Sequence, residues 1–360
     1  MRSNQPFWQL LRFSLGTDAN FSCSLSPQGW MEIFAEAKRQ AVVGILYAGI
    51  ERLAVEQQPP RQLMLQWYAY VRQIRIANQV LNRDAVRLVN WFAQYGFYTV
   101  ILKGQGLGLL YADPMLRQPG DVDILGKGGR RKVLDFLKRK GLKSHVMYHH
   151  MDLHGVVPSA TEVHFMPTFL HSPWHNYRLQ RFFSRQLNSR TFESRALTGD
   201  AGNINVPSAA FNRVFVLAHL YRHLLTEGVG VRQVVDYYYV LQEKLTEPER
   251  TETVKVLRQT GMARFAAAVM YVLQYYLGLP ESQLLLPPDQ KRGLFLLQEL
   301  QRSGNFGHYD KQMHRSGHNS KLARLILIMR RNFRFLHDYP AEILCYPIFR
   351  IYHFIWRMFV

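Results

Sequence analysis

Apolar residues recur at three- and four-residue spacing through the first part of the chain, as in helices with one buried stripe. Trp30, Ile33, Phe34, Ala37 and Ala41 form one such stripe, and Ser26-Pro27 supplies its start. Pro59-Pro60 interrupts the pattern; Leu63, Trp67, Tyr70, Val71 and Ile74 then predict a second helix, and residues 82–93 another. Beyond Gly96 the period changes. Phe97-Tyr98-Thr99-Val100-Ile101-Leu102 is short, continuous and β-prone, which predicts a strand. A short helix is expected after Gly104, a turn-rich segment over 113–120, and a second strand at Val122-Asp123-Ile124-Leu125. Gly128-Gly129 opens a basic helix over 130–140 that Gly141 ends. Residues 143–148 and a histidine-rich stretch lead to a strand around Glu162. From residue 171 the chain returns to helices, including 209–225, 231–244 and 251–277.

This order predicts an α+β protein: a small mixed-sheet core over 86–170, flanked by an N-terminal helical region over 1–85 and a larger C-terminal helical domain over 171–360. An apolar share of 48% with 20% charged residues excludes a largely disordered chain. The net charge of +19 points to an anionic ligand: a nucleotide, a nucleic acid such as RNA, or an acidic membrane. Cys23 and Cys345 fit reduced core thiols, and the first residues lack the pattern of a signal peptide, so a cytoplasmic setting is expected. No transmembrane span is expected; the aromatic run over 339–360 carries Glu342, Arg350, His353 and Arg357, which fits a packed amphipathic helix better than a membrane-surface one, the latter being the reading of a peripheral membrane factor.

The chemistry concentrates around Gly120-Asp121-Val122-Asp123. Two carboxylates two positions apart on a strand share a face, and such like charges keep their ionisation best with a cation between them. Hard divalent cations bridged by carboxylates are the apparatus of phosphoryl transfer, and Glu162 on a neighbouring strand would complete the set or orient an acceptor hydroxyl. Lys103-Gly104 stands at a strand-to-helix turn, where glycine permits close backbone approach to phosphate and lysine adds a point charge. Arg117 lies in a proline-bounded loop suited to clamping phosphate.

Taken together, Leu102-Lys103-Gly104-Gln105-Gly106, then Tyr111, Pro114, Arg117, Gly120, Asp121 and Asp123, then Glu162 and His164, resemble the uncharacterised bacterial nucleotidyltransferase-like family of the polymerase-β-type superfamily. Further matching pieces are Gly230, Arg232, Gln233 and Asp236, following His219 and His223, and the segment Ser303-Gly304-Asn305-Phe306-Gly307. The resemblance implies a nucleotidyltransferase core with Asp121, Asp123 and Glu162 as catalytic, metal-binding triad, Mg²⁺ or Mn²⁺ as cofactor, and an NTP such as ATP as substrate. The chain departs from the wider superfamily at the turn, where Gly-Gly or Gly-Ser is usual. Triphosphate contact is therefore expected at Lys103 and Arg117, with Gly104, Gln105, Gly120, Arg232 and Asp236 as further nucleotide-binding residues.

Several histidines remain. Were the stretch a strand, His150, Asp152 and His154 would share a face able to bind a transition metal, although a polar cleft lining is the plainer reading. His150, His164, His219 and His223 are candidate substrate contacts, and Arg232 bridging Asp236 is an equally good structural pair. Tyr237-Tyr238-Tyr239 reads as core and rim packing. The expected activity is transfer of a nucleoside monophosphate from an NTP to a hydroxyl on a small molecule, protein or RNA. The alternative is an inactive nucleotide-sensing or RNA-binding module of the same fold.

Overall fold

The computed structural model describes residues 5–142, 144–188, 192–305 and 321–358. In chain order its helices and strands are α1 (Pro6–Leu15), α2 (Pro27–Arg39), α3 (Val43–Ile50), α4 (Arg61–Gln94), β1 (Thr99–Ile101), α5 (Gln105–Gly108), β2 (Val122–Gly126), α6 (Gly129–Arg139), β3 (His150–Leu153) and β4 (Thr161–His164). There follow α7 (Pro173–Asn188), β5 (Phe192–Leu197), β6 (Gly202–Pro207), α8 (Ala209–Thr226), α9 (Val231–Gln242), α10 (Glu247–Gln259), α11 (Ala263–Tyr276), α12 (Gln290–Ser303), α13 (Lys321–Asn332) and α14 (Pro340–Trp356). The protein is α+β, helix-rich, with a small mixed sheet, as its sequence predicts.

Two compact units are each assembled from separated stretches. The first comprises residues 1–74, 116–118 and 220–340; the second comprises 75–115, 119–219 and 341–360. In the first unit Ser26 caps α2 by accepting the Gly29 amide, and Trp30, Ile33, Phe34 and Ala37 are buried. Trp67 of α4 lies against Phe34 and donates its indole N–H to the Val43 carbonyl (3.0 Å), so the predicted stripe faces the core. Tyr237 and Tyr238 are buried there, as expected of packing residues.

The second unit holds the sheet. Among the described residues its strand order is β1-β2-β4-β3, with β2 and β4 parallel and the other neighbours antiparallel. Alternation divides the strands by face. Val122, Ile124, Met151, Leu153 and Val163 join Leu88 and Phe92 of α4 and Val133, Phe136 and Leu137 of α6 in one buried cluster.

The structure corrects several expectations. Residues 82–93 are no separate helix, because α4 is continuous for 34 residues. The expected helix over 251–277 is broken into α10 and α11 at Gly261, whose φ of +71° ends the first segment. The return to helices after residue 171 is interrupted by the β5–β6 hairpin. Cys23 and Cys345 are free thiols but half-buried rather than core. Lys143, Phe306, Gly307 and residues 359–360, which figured in the expectations above, lie outside the described residues. Among the described residues no helix is long and apolar enough to cross a membrane.

Candidate metal and nucleotide site

The polar face of the sheet gathers the acids. Asp123 on β2 lies beside Glu162 on the parallel strand β4, and Glu162 in turn faces Asp152 on β3. Asp121, two residues before Asp123, takes the same side. One carboxylate oxygen from each of Asp121, Asp123 and Glu162 lies within 4.8 Å of the others, so the three acids converge as the sequence leads one to expect.

Internal cations surround them. The Leu102 amide donates to the Asp123 carbonyl (3.0 Å), which sets Lys103 beside that residue. The Lys103 Nζ is 2.8 Å from Asp123 Oδ1, and His164 Nε2 is 2.8 Å from the same oxygen and 3.2 Å from Glu162 Oε2. Burial pushes the Asp123 carboxyl up, but Lys103 and His164 outweigh it and hold the group well below the usual carboxylate range. For Glu162 burial is again outweighed, chiefly by the hydrogen bond with His164, and the shift is downward. Burial lowers His164, yet its bonds to Asp123 and Glu162 dominate and raise it. Asp121 goes the other way: the charge on Asp123, then burial, pushes it to about 6 despite Lys103. Crowded carboxylates with one member pushed up so far are chemically suited to a hard divalent cation.

Gly104 turns the chain at φ +49° and ψ −111°, and a Cβ there would stand 3.2 Å from the Asp121 carbonyl oxygen. The turn therefore packs against the acidic strand in a conformation that glycine tolerates best. Gln105 is buried, and its side-chain amide donates to Asn82 Oδ1 (2.6 Å). Gly120 is exposed at the entrance to β2.

The histidine stretch is only partly a strand. His154 lies beyond β3 and is exposed, so the expected grouping of His150, Asp152 and His154 does not form. Instead His150 sits opposite His164 across β3 and β4, its Nδ1 3.5 Å from Glu162 Oε2, and the three residues make a second group able to hold a metal. His149 Nε2 is 3.2 Å from His150 Nδ1, a contact the sequence reading did not anticipate. Period-2 alternation carried the signal, since His164 follows Glu162 on the same face.

Arg117, Arg232 and Asp236 belong to the first unit, whereas the acids belong to the second. Arg117 donates through Nε and Nη2 to the two Asp236 oxygens at 2.7 and 2.9 Å, a buried fork-to-carboxylate pair. Arg232 donates to the Gln118 carbonyl (3.1 Å). His219 lies beside the Phe215 ring, and His223 Nδ1 is 2.9 Å from Glu227 Oε2. Gln233 donates to Asn305 Oδ1 (3.1 Å), linking α9 to the segment after α12.

No curated protein matches the chain significantly. A solved structure, that of an antigenic nucleotidyltransferase-like protein from Paracoccidioides brasiliensis, is similar at 16% identity with a TM-score of 0.33, over 56% of this chain and 93% of that one. A family model described as uncharacterised nucleotidyltransferase matches residues 26–278, which include the whole sheet and its acidic face. Because that match spans well over half of its 360 residues, the chain belongs to this uncharacterised nucleotidyltransferase family.

Proposed function

We propose that the chain moves a nucleoside monophosphate from an NTP to a hydroxyl-bearing acceptor. The acceptor oxygen bonds to the α-phosphorus, the bond to the bridging oxygen of the β-phosphate breaks, and pyrophosphate leaves. The observation that carries this reading is the convergence of Asp121, Asp123 and Glu162 on one sheet face, in a chain of this family. Those carboxylates would hold Mg²⁺ or Mn²⁺, which when bound neutralises charge on phosphate oxygens. Lys103 supplies a positive charge beside the site for the departing phosphates. Glu162, less buried than Asp123, is suited to orienting the acceptor hydroxyl and taking its proton, with His164 fixing its carboxylate. The Arg117–Asp236 fork leaves Lys103 and the Gly104 turn as the better-supported nucleotide contacts.

The test is incubation of the purified chain with each α-labelled NTP, Mg²⁺ or Mn²⁺, and a cell extract supplying acceptors. Metal-dependent labelling that Asp121→Asn and Asp123→Asn abolish is expected. Absence of both metal-dependent NTP binding and label transfer refutes the proposal. A second reading, a nucleotide-sensing or RNA-binding module without turnover, draws support from Lys103 and His164 already countering the charge on Asp123. It predicts binding that survives Asp123→Asn and falls steeply with salt.

A further inference from the structure

Helix α14 has two unlike apolar faces. Its inner face packs within the second unit: Phe349 and His353 stack at 5.8 Å, Phe349 stacks on Phe169, and Tyr148 meets Phe349, His353 and Trp356 edge-on. Arg130 lies 4.0 Å over the Trp356 ring, so this side of the helix is fully engaged. The outer face is not. Leu344, Ile348, Ile351, Phe354 and Ile355 are each between 50% and 70% exposed, as is Met358 just past the end of the helix. At helical pitch these side chains and Tyr352 cover an arc of about 160°. That is far wider than the narrow seam a paired helix needs.

The exposed charged residues of α7 and α14 are all basic. The single acid in α14, Glu342, is buried and accepts the His171 and Ser172 amides at 2.6 and 3.2 Å, tying the start of α14 to the start of α7. Arg350 and Arg357 are exposed beside the apolar arc. Helix α7 contains no acid and presents Trp174 and Tyr177, 62% and 57% exposed, beneath the guanidinium groups of Arg178 and Arg181. Arg185 extends the series. Broad aliphatic exposure, interfacial aromatics and flanking arginines are what an amphipathic helix lying in the plane of a lipid headgroup layer requires. The arc is too broad for one partner helix, and its rim complements anionic headgroups.

From this arrangement we propose that the outer face of α14, with Trp174 and Tyr177 of α7, seats the second unit on an anionic lipid surface. The aliphatic side chains enter the headgroup–acyl boundary without crossing the bilayer. Arg181, Arg350 and Arg357 meet the lipid phosphates. The inference is independent of the chemistry at Asp121, Asp123 and Glu162, because none of these residues belongs to α7 or α14.

Co-sedimentation of the full chain with vesicles tests it. Vesicles of phosphatidylcholine containing about one-third phosphatidylglycerol should bind the protein, phosphatidylcholine alone should bind it at least about tenfold more weakly, and raised salt should release it. Replacing Arg181 and Arg350 by Gln should weaken binding about fivefold each. The combined substitution Ile348→Glu, Ile351→Glu and Ile355→Glu should abolish binding; all three side chains face solvent, so the circular dichroism melt should stay unchanged. Failure of the wild-type protein to bind anionic vesicles overturns the proposal, as does equal binding to both vesicle types or binding that survives the triple substitution. A concentration-dependent dimer, seen by light scattering and lost in the triple variant without vesicle binding, also overturns it and assigns the face to a second copy.

Discussion

Replacing Arg117 by Met separates an architectural role from a nucleotide-binding one. The guanidinium makes two charge-assisted hydrogen bonds to Asp236, and both side chains are 6% exposed. Bonds of this kind contribute about 1.5–3 kcal/mol each, and removing one member of a buried pair costs about 3–5 kcal/mol because a charge is left uncompensated. A carboxyl that has lost this fork can also respond by protonation. For a carboxyl of ordinary affinity this costs about 4 kcal/mol at pH 7, so both routes place the loss near about 4 kcal/mol. The sign with pH follows. Losing the Arg117 fork raises the folded pKa of a buried carboxyl, so the deficit is full at pH 7 and shrinks as the pH falls toward about 4. Urea unfolding followed by circular dichroism measures the deficit, and hydrogen exchange along α9 locates it. The double variant Arg117→Met, Asp236→Leu should recover most of the loss, since neither charge then remains buried. A deficit under about 1 kcal/mol at pH 7, or a double variant no more stable than the single, refutes the reasoning. NTP binding by the stable double variant then distinguishes the roles: retained binding makes Arg117 architectural, and lost binding restores it as a nucleotide contact.

Other expectations follow from the same geometry. Mn²⁺ at a hundred times its dissociation constant should stabilise the wild-type chain by about 2.7 kcal/mol and leave Asp123→Asn nearly unchanged, as read by differential scanning fluorimetry. Burial, then Arg357, Arg350 and Arg130, lowers His353 to about 4 from an ordinary 6.5. The unfolded chain therefore binds more protons across that window, and stability should fall as the pH drops through it, by at most about 3 kcal/mol. Hydrogen exchange in α14 should show the loosening, and His353→Phe should flatten it. A Cβ at Gly44 would overlap the Leu116 carbonyl, so Gly44→Ala should cost about 1–3 kcal/mol in urea unfolding by pushing α3 from the 116–118 segment.

The acidic site was legible because period-2 alternation is local. Asp121, Asp123, Glu162 and His164 announce their common face within short strands, and Lys103 follows from the end of β1. The β5–β6 hairpin gave a weaker signal: its first strand is exposed from Glu193 to Ala196, and only Ile204 and Val206 of the second alternate with polar residues. The α10–α11 break was hidden for the opposite reason, since Val256, Leu257, Met262 and Phe265 are all buried and the apolar pattern runs straight through Gly261. Arg117 and Asp236 are 119 positions apart, and no spacing rule links a loop arginine to a helical aspartate at that distance. The buried Glu342 was read as one of several charges on an amphipathic helix, whereas it anchors the chain before α7 from about half the sequence away.

The sheet explains why the acids sit together at all. Val122, Ile124, Val163, Met151 and Leu153 occupy the apolar face, and each adjoins in sequence a residue of the polar one. A slip of one position in β2 or β4 would put Asp123 or Glu162 among phenylalanines and set Val122 or Val163 among the charged groups, so the core fixes the register of the site. Parallel pairing of β2 with β4 sets Asp123 beside Glu162, and the antiparallel edge strand then brings His150 to His164. Repulsion among the gathered carboxylates is a cost that this core carries, and Lys103 and His164 offset it chiefly at Asp123 and Glu162. Asp121 is left with the remainder, as its elevation to about 6 records. A cation bound at the front of the sheet would relieve that residue most, which makes Asp121 the position where occupancy and stability are most directly coupled.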